Sequence, residues 1–260
     1  MQALWVAKTG LDAQQTRMTV ISNNLANVNT TGFKRGRASF EDLAYQNIQQ
    51  AGGSTSQDTM SPTGLSVGTG SRIVSTDRQF QTGSANVTEN QLDLMIQGRG
   101  FFQVLMPDGN MAYTRAGSFQ IDANGRLTTP AGFEIQPGIT IPDGAETITI
   151  GRDGTIEAAI AGQSGLQNVG TMQLADFINP AGLEARGGNL FVETVASGTA
   201  TVGTPGLSGI GYLMQGALEG SNVNVVEELV GMIEAQRAYE MNSKAISTAD
   251  EMLQFVNNNL

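Results

Sequence analysis

The strongest constraint in this sequence is a seven-residue apolar repeat at each end of the chain. A repeat of this length is typical of a helix that packs lengthwise against another helix. It predicts two long amphipathic helices, over residues 3–28 and over the last forty residues, each with an apolar seam that suits either a partner helix or the cover of a globular core. The repeats comprise Leu4, Leu11, Met18 and Leu25 at one end, and Met232, Tyr239, Ile246, Leu253 and Leu260 with the flanking Leu229 at the other.

Both predicted helices have boundary signals. Asn27, Asn29 and Gly32 follow the first helix, and these residue types tolerate the left-handed backbone conformation that closes a helix. Asn224 lies three residues before Glu227, a spacing that predicts an N-cap and its capping-box partner at the start of the second helix.

The two ends carry opposite charge. Residues 1–40 contain five cations and only one carboxylate, a net charge of +4, and residues 221–260 contain six carboxylates and two cations, a net charge of −4. Opposite charge favours pairing of the two ends, either within one chain or between neighbouring chains.

Between the ends the apolar period changes to two, which is the period of strands. Turn signals such as Pro107-Asp108-Gly109-Asn110 and Asn124-Gly125 separate the runs. The predicted class is therefore α+β, with a central antiparallel all-β region between two terminal helices. The predicted strands are 101–106, 111–115, 119–122, 133–136, 147–150, 155–159, 169–177 and 189–194.

Two stretches, 46–70 and 197–211, are rich in Gly, Ser, Thr and Gln. Such composition indicates linkers or mobile loops, or extended segments that become ordered when subunits stack. The predicted domains are a discontinuous helical domain (1–35 and 221–260), a connecting domain (36–87 and 206–220) and an outer β domain (88–205).

Composition excludes several functions. The chain has no cysteine and no histidine, which removes thiolate chemistry, the Ser-His-Asp triad and the commonest metal ligand. A net charge of −10 opposes nucleic-acid binding. No apolar run reaches the roughly 18 residues of a membrane span. We therefore expect no catalytic residue, no metal and no cofactor. Asp93, Glu134 and Asp153 are candidates for a glycosidase carboxylate pair, but no pair among them stands out.

The polar segment after the first helix is unusual. Asn side chains satisfy unpaired backbone groups, and Asn23, Asn24, Asn27 and Asn29 are more than one helix end needs. They predict a crowded polar junction. The basic group 34–37 is expected to be a surface turn or a site of salt bridges between subunits.

Both ends of the chain resemble the paired signatures of the bacterial flagellar rod and hook family. The matching segments are SNNLANVNTTGFKR near the N-terminus and NVVEELVGMIEAQRAYEMNSKAI near the C-terminus. The opening ALWVAKTGLDAQQTRM and the central GFFQV and AYTRAGSF are most similar to the distal-rod members of that family, so the resemblance extends over nearly the whole chain.

The resemblance implies a structural subunit of the basal-body distal rod, which polymerises into the helical drive shaft between motor and hook. It implies an inner layer in which the terminal helices pair as a coiled coil and become ordered on stacking, with β domains outside. Phe33 would anchor the turn after the first helix, Arg237, Tyr239 and Asn242 would lie in the inner layer, and 46–65 would be the insertion that stiffens the distal rod. A charge at Leu25 or Ile246 is expected to block assembly and leave the β domain folded.

The partners implied are other copies of the chain, proximal-rod proteins, the hook protein, the surrounding P- and L-ring proteins and the flagellar type III export apparatus. The implied location is the periplasm-spanning rod, reached without a cleaved signal peptide. A proximal-rod or hook protein is the alternative within the family. A carbohydrate-binding β module or a glycosidase is the alternative outside it, although the single tryptophan, Trp5, lies on the terminal helix.

Overall fold

The computed structural model describes residues 2–49, 63–161 and 165–258. The predicted 46–65 insertion is therefore described only at its two ends, and Leu260 of the second repeat lies outside the described residues. The helices are α1 (Gln2–Ala26) and α2 (Val225–Asn258), and a short 3₁₀ turn spans Pro180–Gly182. The strands, in chain order, are β1 (Gly36–Asp42), β2 (Tyr45–Gln49), β3 (Leu65–Gly68), β4 (Ser71–Arg78), β5 (Ala85–Val87), β6 (Leu94–Gln97), β7 (Phe101–Leu105), β8 (Met111–Thr114), β9 (Gln120–Ile121), β10 (Leu127–Thr128), β11 (Glu134–Gln136), β12 (Ala145–Ile150), β13 (Thr155–Ile160), β14 (Leu166–Thr171), β15 (Leu174–Asp176), β16 (Glu184–Gly187), β17 (Leu190–Val192), β18 (Thr201–Gly203), β19 (Tyr212–Gln215) and β20 (Ala217–Glu219).

The chain divides into two compact units. The helical unit comprises Met1–Leu25, Gly36–Asp77 and Asn224–Leu260, and the β unit comprises Ala26–Arg35 and Arg78–Val223. Two terminal helices and a set of antiparallel strands confirm the α+β class. The three-part domain division made from sequence stays a prediction.

In the helical unit, both helices begin and end close to their predicted bounds. The Asn224 side chain accepts a hydrogen bond from the backbone N–H of Val226 at 3.1 Å, which confirms it as the N-cap of α2. β1 pairs with β4 and β2 pairs with β3. Arg37 of β1 forms an ion pair with Asp77 of β4 at 3.1 Å.

The β unit is built around one large antiparallel sheet in the order β16-β17-β8-β7-β11-β10-β9. One end of β7 also pairs with β15, which in turn pairs with β18. Smaller sheets are formed by β12-β13-β14, β6-β19 and β5-β20.

The large sheet is covered on both faces, as consecutive residues of β7 show. Phe102 packs with Leu94, Ile96 and Phe119 in one buried cluster, whereas the preceding Phe101 belongs to a second cluster with Phe177 and Phe191. Successive side chains of a strand point to opposite faces. The apolar run Phe101–Leu105 therefore fits a strand between two cores.

The predicted hairpin turns are confirmed. Met106 N–H donates to the carbonyl of Asn110 at 3.0 Å, and Asp122 N–H donates to that of Arg126 at 2.9 Å. Gly109 and Gly125 take the positive φ values, 81° and 78°, that such turns need.

Two sequence-based expectations are wrong. The stretch 169–177 is not one strand, because β14 and β15 belong to different sheets. The stretch 197–211 is not simply a linker, since it contributes β18 beside β15. Of the three residues that signal the end of α1, Gly32 adopts the left-handed conformation, with φ of 70°, whereas Asn27 and Asn29 do not.

Candidate assembly surface on the terminal helices

Within the helical unit, α1 and α2 contact each other, as four pairs of described residues show. Arg17 forms an ion pair with Glu234 at 3.2 Å, and Asn24 donates a hydrogen bond to Glu228 at 3.2 Å. Added Cβ atoms on Gly231 and on Gly10 would lie 3.5 Å from Ile21 Cδ1 and 2.9 Å from Asn242 Nδ2. As residue numbers rise along α1, those of the partners fall along α2, so the two helices run antiparallel where they touch.

The contact line, formed by these pairs, is made largely of small and polar residues, with Ile21 as an apolar member. Ala235 is fully buried, and Glu228 is buried beside the similarly buried Asn24. Gly10 and Gly231 lie where a side chain would meet the facing helix. The line is therefore displaced from the seam that the apolar repeat predicts on α2.

The predicted seam residues divide into two groups. Leu4, Leu11, Met18 and Leu25 of α1 are half-buried, as are Met232, Ile246 and Asn242 of α2. Leu229, Tyr239 and Leu253 are exposed in the single chain, as is Arg237 of the C-terminal motif. The role of all these residues in assembly stays a prediction.

α2 also has a large set of exposed apolar side chains. Trp5 and Val6 add two more on α1. Single exposed apolar residues are ordinary on protein surfaces, but contiguous sets mark interaction sites. The exposed members on α2 are Val225, Val226, Leu229, Val230, Ile233, Tyr239, Met241, Met252, Leu253, Phe255 and Val256.

In the helical unit, Asn24 holds the start of β1. Its Nδ2 donates to the carbonyl oxygen of Gly36 at 2.9 Å, and its Oδ1 accepts from the N–H of Gly36 at 2.8 Å. The side chain thus replaces both hydrogen bonds that a neighbouring strand would supply. Asn23 and Asn29 are exposed, so the four asparagines do not share one environment.

We expect Asn24→Ala to destabilise the helical unit by about 2 kcal/mol, because it leaves both backbone groups of Gly36 without partners. Asn29→Ala is the matched control, since Asn29 is exposed, and should change stability by less than about 0.5 kcal/mol. Urea unfolding followed by helical circular dichroism measures both. Equal effects of the two substitutions would refute the role given to Asn24.

The β unit contains the rest of the polar segment. The N–H of Thr30 donates to the carbonyl of Asn27 at 3.1 Å, which closes a turn after α1. The N–H of Gly32 donates to the carbonyl of Glu219 at 2.8 Å. Phe33 is buried, and its ring lies 5.6 Å from the guanidinium of Arg78.

Lys34 corrects the expectation of a basic surface turn. Its side chain is fully buried, and its Nζ lies 2.6 Å from the carboxylate of Glu219. Burial lowers the pKa of Lys34 from 10.5 to about 8, although the negative charge of Glu219 opposes part of this change.

This pKa sets a pH dependence. An unfolded lysine has a pKa of about 10.4, so between pH 8 and pH 10 the unfolded chain binds more protons at this group than the folded chain does. The contribution of Lys34 therefore makes the free energy of unfolding rise with pH, by up to about 1.4 kcal/mol per unit. Urea unfolding of wild type and Lys34→Met near pH 7.5 and pH 9.5 measures the difference. Parallel pH curves for the two proteins would contradict this prediction.

The candidate carboxylates are each engaged locally. Asp93 accepts hydrogen bonds from Thr88 and Asn90, and Glu134 pairs with Arg126 at 3.0 Å. Asp153 accepts from the hydroxyl and the N–H of Thr155 in a turn. Among the residues that the structure describes, no cluster of three metal-ligating side chains occurs.

The family profiles of known proteins define the class of this chain. Three family profiles match: flagella basal body rod protein over residues 4–34, flagellar hook protein FlgE/F/G D1 domain over 95–158, and the C-terminal region of flagellar basal body rod FlgEFG proteins over 214–259. These profiles describe rod and hook proteins of the flagellum. The segments matched include both terminal helices and the central strands.

Similarity to individual proteins extends over nearly the whole chain. Flagellar basal-body rod protein FlgG of Buchnera aphidicola (subsp. Schizaphis graminum) is 56% identical over 97% of both chains. FlgG of Caulobacter vibrioides is 52% identical, over 98% of this chain and 97% of its own, and that of Bacillus subtilis is 40% identical, over 98% and 97%. The chain therefore belongs to the flagellar basal-body rod protein family.

In the part of the chain that the structure describes, neither helix is long and apolar enough to cross a bilayer.

The sequence did not predict which residues contact Asn24, Lys34 and Asn242. Glu228, Glu219 and Arg115 are buried charged residues, and Gly10 sits against Asn242. The residues next to each of these four positions in the sequence do not indicate burial or a contact, because the groups that they contact are distant in sequence. The opposite charge of the two ends was a partial signal of contact between them, and the ion pair of Arg17 with Glu234 is one such contact.

Proposed function

We propose that this chain is a structural subunit of the distal part of the flagellar rod and polymerises into the helical shaft that transmits torque from motor to hook. The observation that carries the proposal is the apolar surface of α2, where side chains such as Ile233 and Met252 are at least half exposed in the single chain. A helical polymer buries such surface through repeated contacts that do not close on themselves. The identity to FlgG relatives supports placement in the rod.

The terminal helices form the inner layer in this proposal. They pair as a coiled coil, both within one chain and between stacked copies, and Leu229, Tyr239 and Leu253 face other copies. The antiparallel contacts between α1 and α2 support pairing within the chain. Because that contact line is made largely of small and polar side chains, the pairing is weak alone, and stacking completes the order of the helices.

The role is structural, with no catalytic step and no cofactor. The local engagement of Asp93, Glu134 and Asp153 supports this, because none is held ready for a substrate. The partners are other copies of the chain, the proximal-rod proteins, the hook protein and the ring proteins around the rod. The chain reaches the periplasm-spanning rod through the flagellar type III export apparatus.

Deletion of the gene followed by electron microscopy of isolated basal bodies tests the proposal. We expect basal bodies with a truncated rod and no hook, and we expect complementation with the wild-type gene to restore both. Full-length rods with hooks in the deletion strain would refute the proposed function.

A further inference from the structure

Three charged side chains of the β unit are almost completely buried and contact one another, and the proposed function does not use them. Lys34, Arg115 and Glu219 are at most 2% exposed. Burying a charge is costly unless it is paired and hydrogen-bonded. A cluster of this kind therefore depends on each member to neutralise the others.

Glu219 is the central member. Its Oε1 accepts hydrogen bonds from Lys34 Nζ at 2.6 Å and from the N–H of Gly83 at 2.9 Å. Its Oε2 accepts from Nη1 of Arg115 at 3.4 Å. One carboxylate thus links two cations that come from separate parts of the chain.

Arg115 connects the cluster to the core of the β unit. Its Nη2 donates to the carbonyl of Gly98 at 2.7 Å, and its Nη1 donates to that of Ile96 at 3.3 Å. Its guanidinium also lies 5.3 Å from the ring of Phe101. Ile96 and Phe101 are both buried, one in each core cluster. Arg115 is therefore fixed from the core side.

Lys34 and Glu219 lie on the two segments that lead to the terminal helices. Lys34 lies eight residues after Ala26, the last residue of α1, and Glu219 lies six residues before Val225, the first residue of α2. We name residues 30–35 the N-terminal root and residues 217–222 the C-terminal root. The roots also share backbone contacts, since the N–H of Gly32 donates to the carbonyl of Glu219.

We propose that Lys34, Glu219 and Arg115 form a charge clasp that fastens both roots to the β core, and that the clasp opens without unfolding the core. The order of attachment is asymmetric. Glu219 connects to the core through Arg115 and to the N-terminal root through Lys34. Loss of Lys34 detaches only the N-terminal root, whereas loss of the Glu219 charge detaches both.

Three backbone amides report on the clasp. The N–H of Gly32 and the N–H of Arg35, which donates to Asn222 Oδ1 at 2.7 Å, report on the N-terminal root. The N–H of Gly220 donates to the carbonyl of Ser84 at 2.7 Å and reports on the C-terminal root. The amides of β7, between β8 and β11, report on the core.

Site-resolved hydrogen exchange on the full chain tests the proposal with Lys34→Met, Glu219→Gln and a control, Arg186→Met, which removes a cation from an exposed surface pair. For Glu219→Gln we expect exchange at Gly32 and Gly220 to accelerate at least about 100-fold, because two buried cations lose their carboxylate. For Lys34→Met we expect about 10-fold or more at Gly32 and Arg35, and less than about 3-fold at Gly220. The β7 amides and the control should change less than about 2-fold.

Two outcomes would overturn the proposal. Unchanged exchange at both roots would mean that the cluster fastens nothing. Equal acceleration at the roots and in β7, in both variants, would mean that the cluster is part of one cooperative core and not a separate clasp. Neither outcome depends on polymerisation, so this test is independent of the proposed function.

Discussion

Replacement of Ile233 by aspartate is expected to reduce the amount of the chain in isolated basal bodies by at least about 100-fold. Ile233 is 50% exposed on α2 in the single chain, and in the proposed rod it is buried against another copy. A carboxylate there loses the apolar contact and also pays for desolvation, about 3 kcal/mol per subunit, which corresponds to roughly 100-fold in binding. Quantitative immunoblots of basal bodies from cells with the variant as sole copy measure the effect.

Gln236→Asp is the matched control for this prediction, because Gln236 is an exposed polar residue one turn further along the same helix. It introduces the same charge and the same low helix propensity but removes no apolar side chain. We expect incorporation within about threefold of wild type for this control, and an unchanged unfolding transition of the β unit for both variants. Normal incorporation of Ile233→Asp would show that this face of α2 does not bind another copy.

Replacement of Gly117 by alanine is expected to destabilise the β unit by more than about 4 kcal/mol. A Cβ at this position would lie 1.6 Å from the carbonyl oxygen of Leu94. That oxygen belongs to a buried strand, and the N–H of Leu94 is itself hydrogen-bonded to the carbonyl of Gly117 at 2.9 Å. The backbone cannot move away without breaking this bond and disturbing the packing of Phe102, which also touches the site.

Gly170→Ala provides the control for Gly117→Ala. Gly170 is also in the β unit, but a Cβ there would make only an ordinary contact, 3.9 Å from Ile139 Cγ1. We expect its free energy of unfolding to lie within about 0.5 kcal/mol of wild type. Urea unfolding followed by tyrosine fluorescence or near-ultraviolet circular dichroism compares the two. A small effect at both positions would show that the backbone at Gly117 and Leu94 can move apart to accommodate a Cβ atom.

The helices and the central hairpins were predictable from sequence because their signals are local. The apolar repeat that includes Leu11 and Met18 is long, and the helix it predicts ends within two residues of Ala26. Asp-Gly and Asn-Gly turns fixed the hairpins around β7 and β9, because positive φ values are needed there. Short polar strands such as β2 and β18 were not predicted, since their alternation is weak and pairing alone defines them.

The buried charges could not be predicted for a different reason. Lys34 and Glu219 are 185 residues apart in sequence, and each lies in a locally polar segment that favours a surface turn. Only the folding of the β unit brings them together, and a single sequence does not show which distant segments come into contact. The contact line between α1 and α2 differs from the predicted seam for a related reason. Small residues such as Ala235 and Gly231 form this line, whereas the apolar repeat was identified from large apolar side chains.

Hydroxyl-radical footprinting of the chain, free and in isolated basal bodies, tests the central claim most directly. Met241 and Met252 on α2 are 73% and 61% exposed in the single chain, whereas Met172 in the β core is fully buried and sets the baseline. If α2 packs against other copies in the rod, oxidation of Met241 and Met252 should fall at least about tenfold on assembly, towards the rate of Met172. Equal oxidation of both methionines in the free chain and in basal bodies would contradict the account.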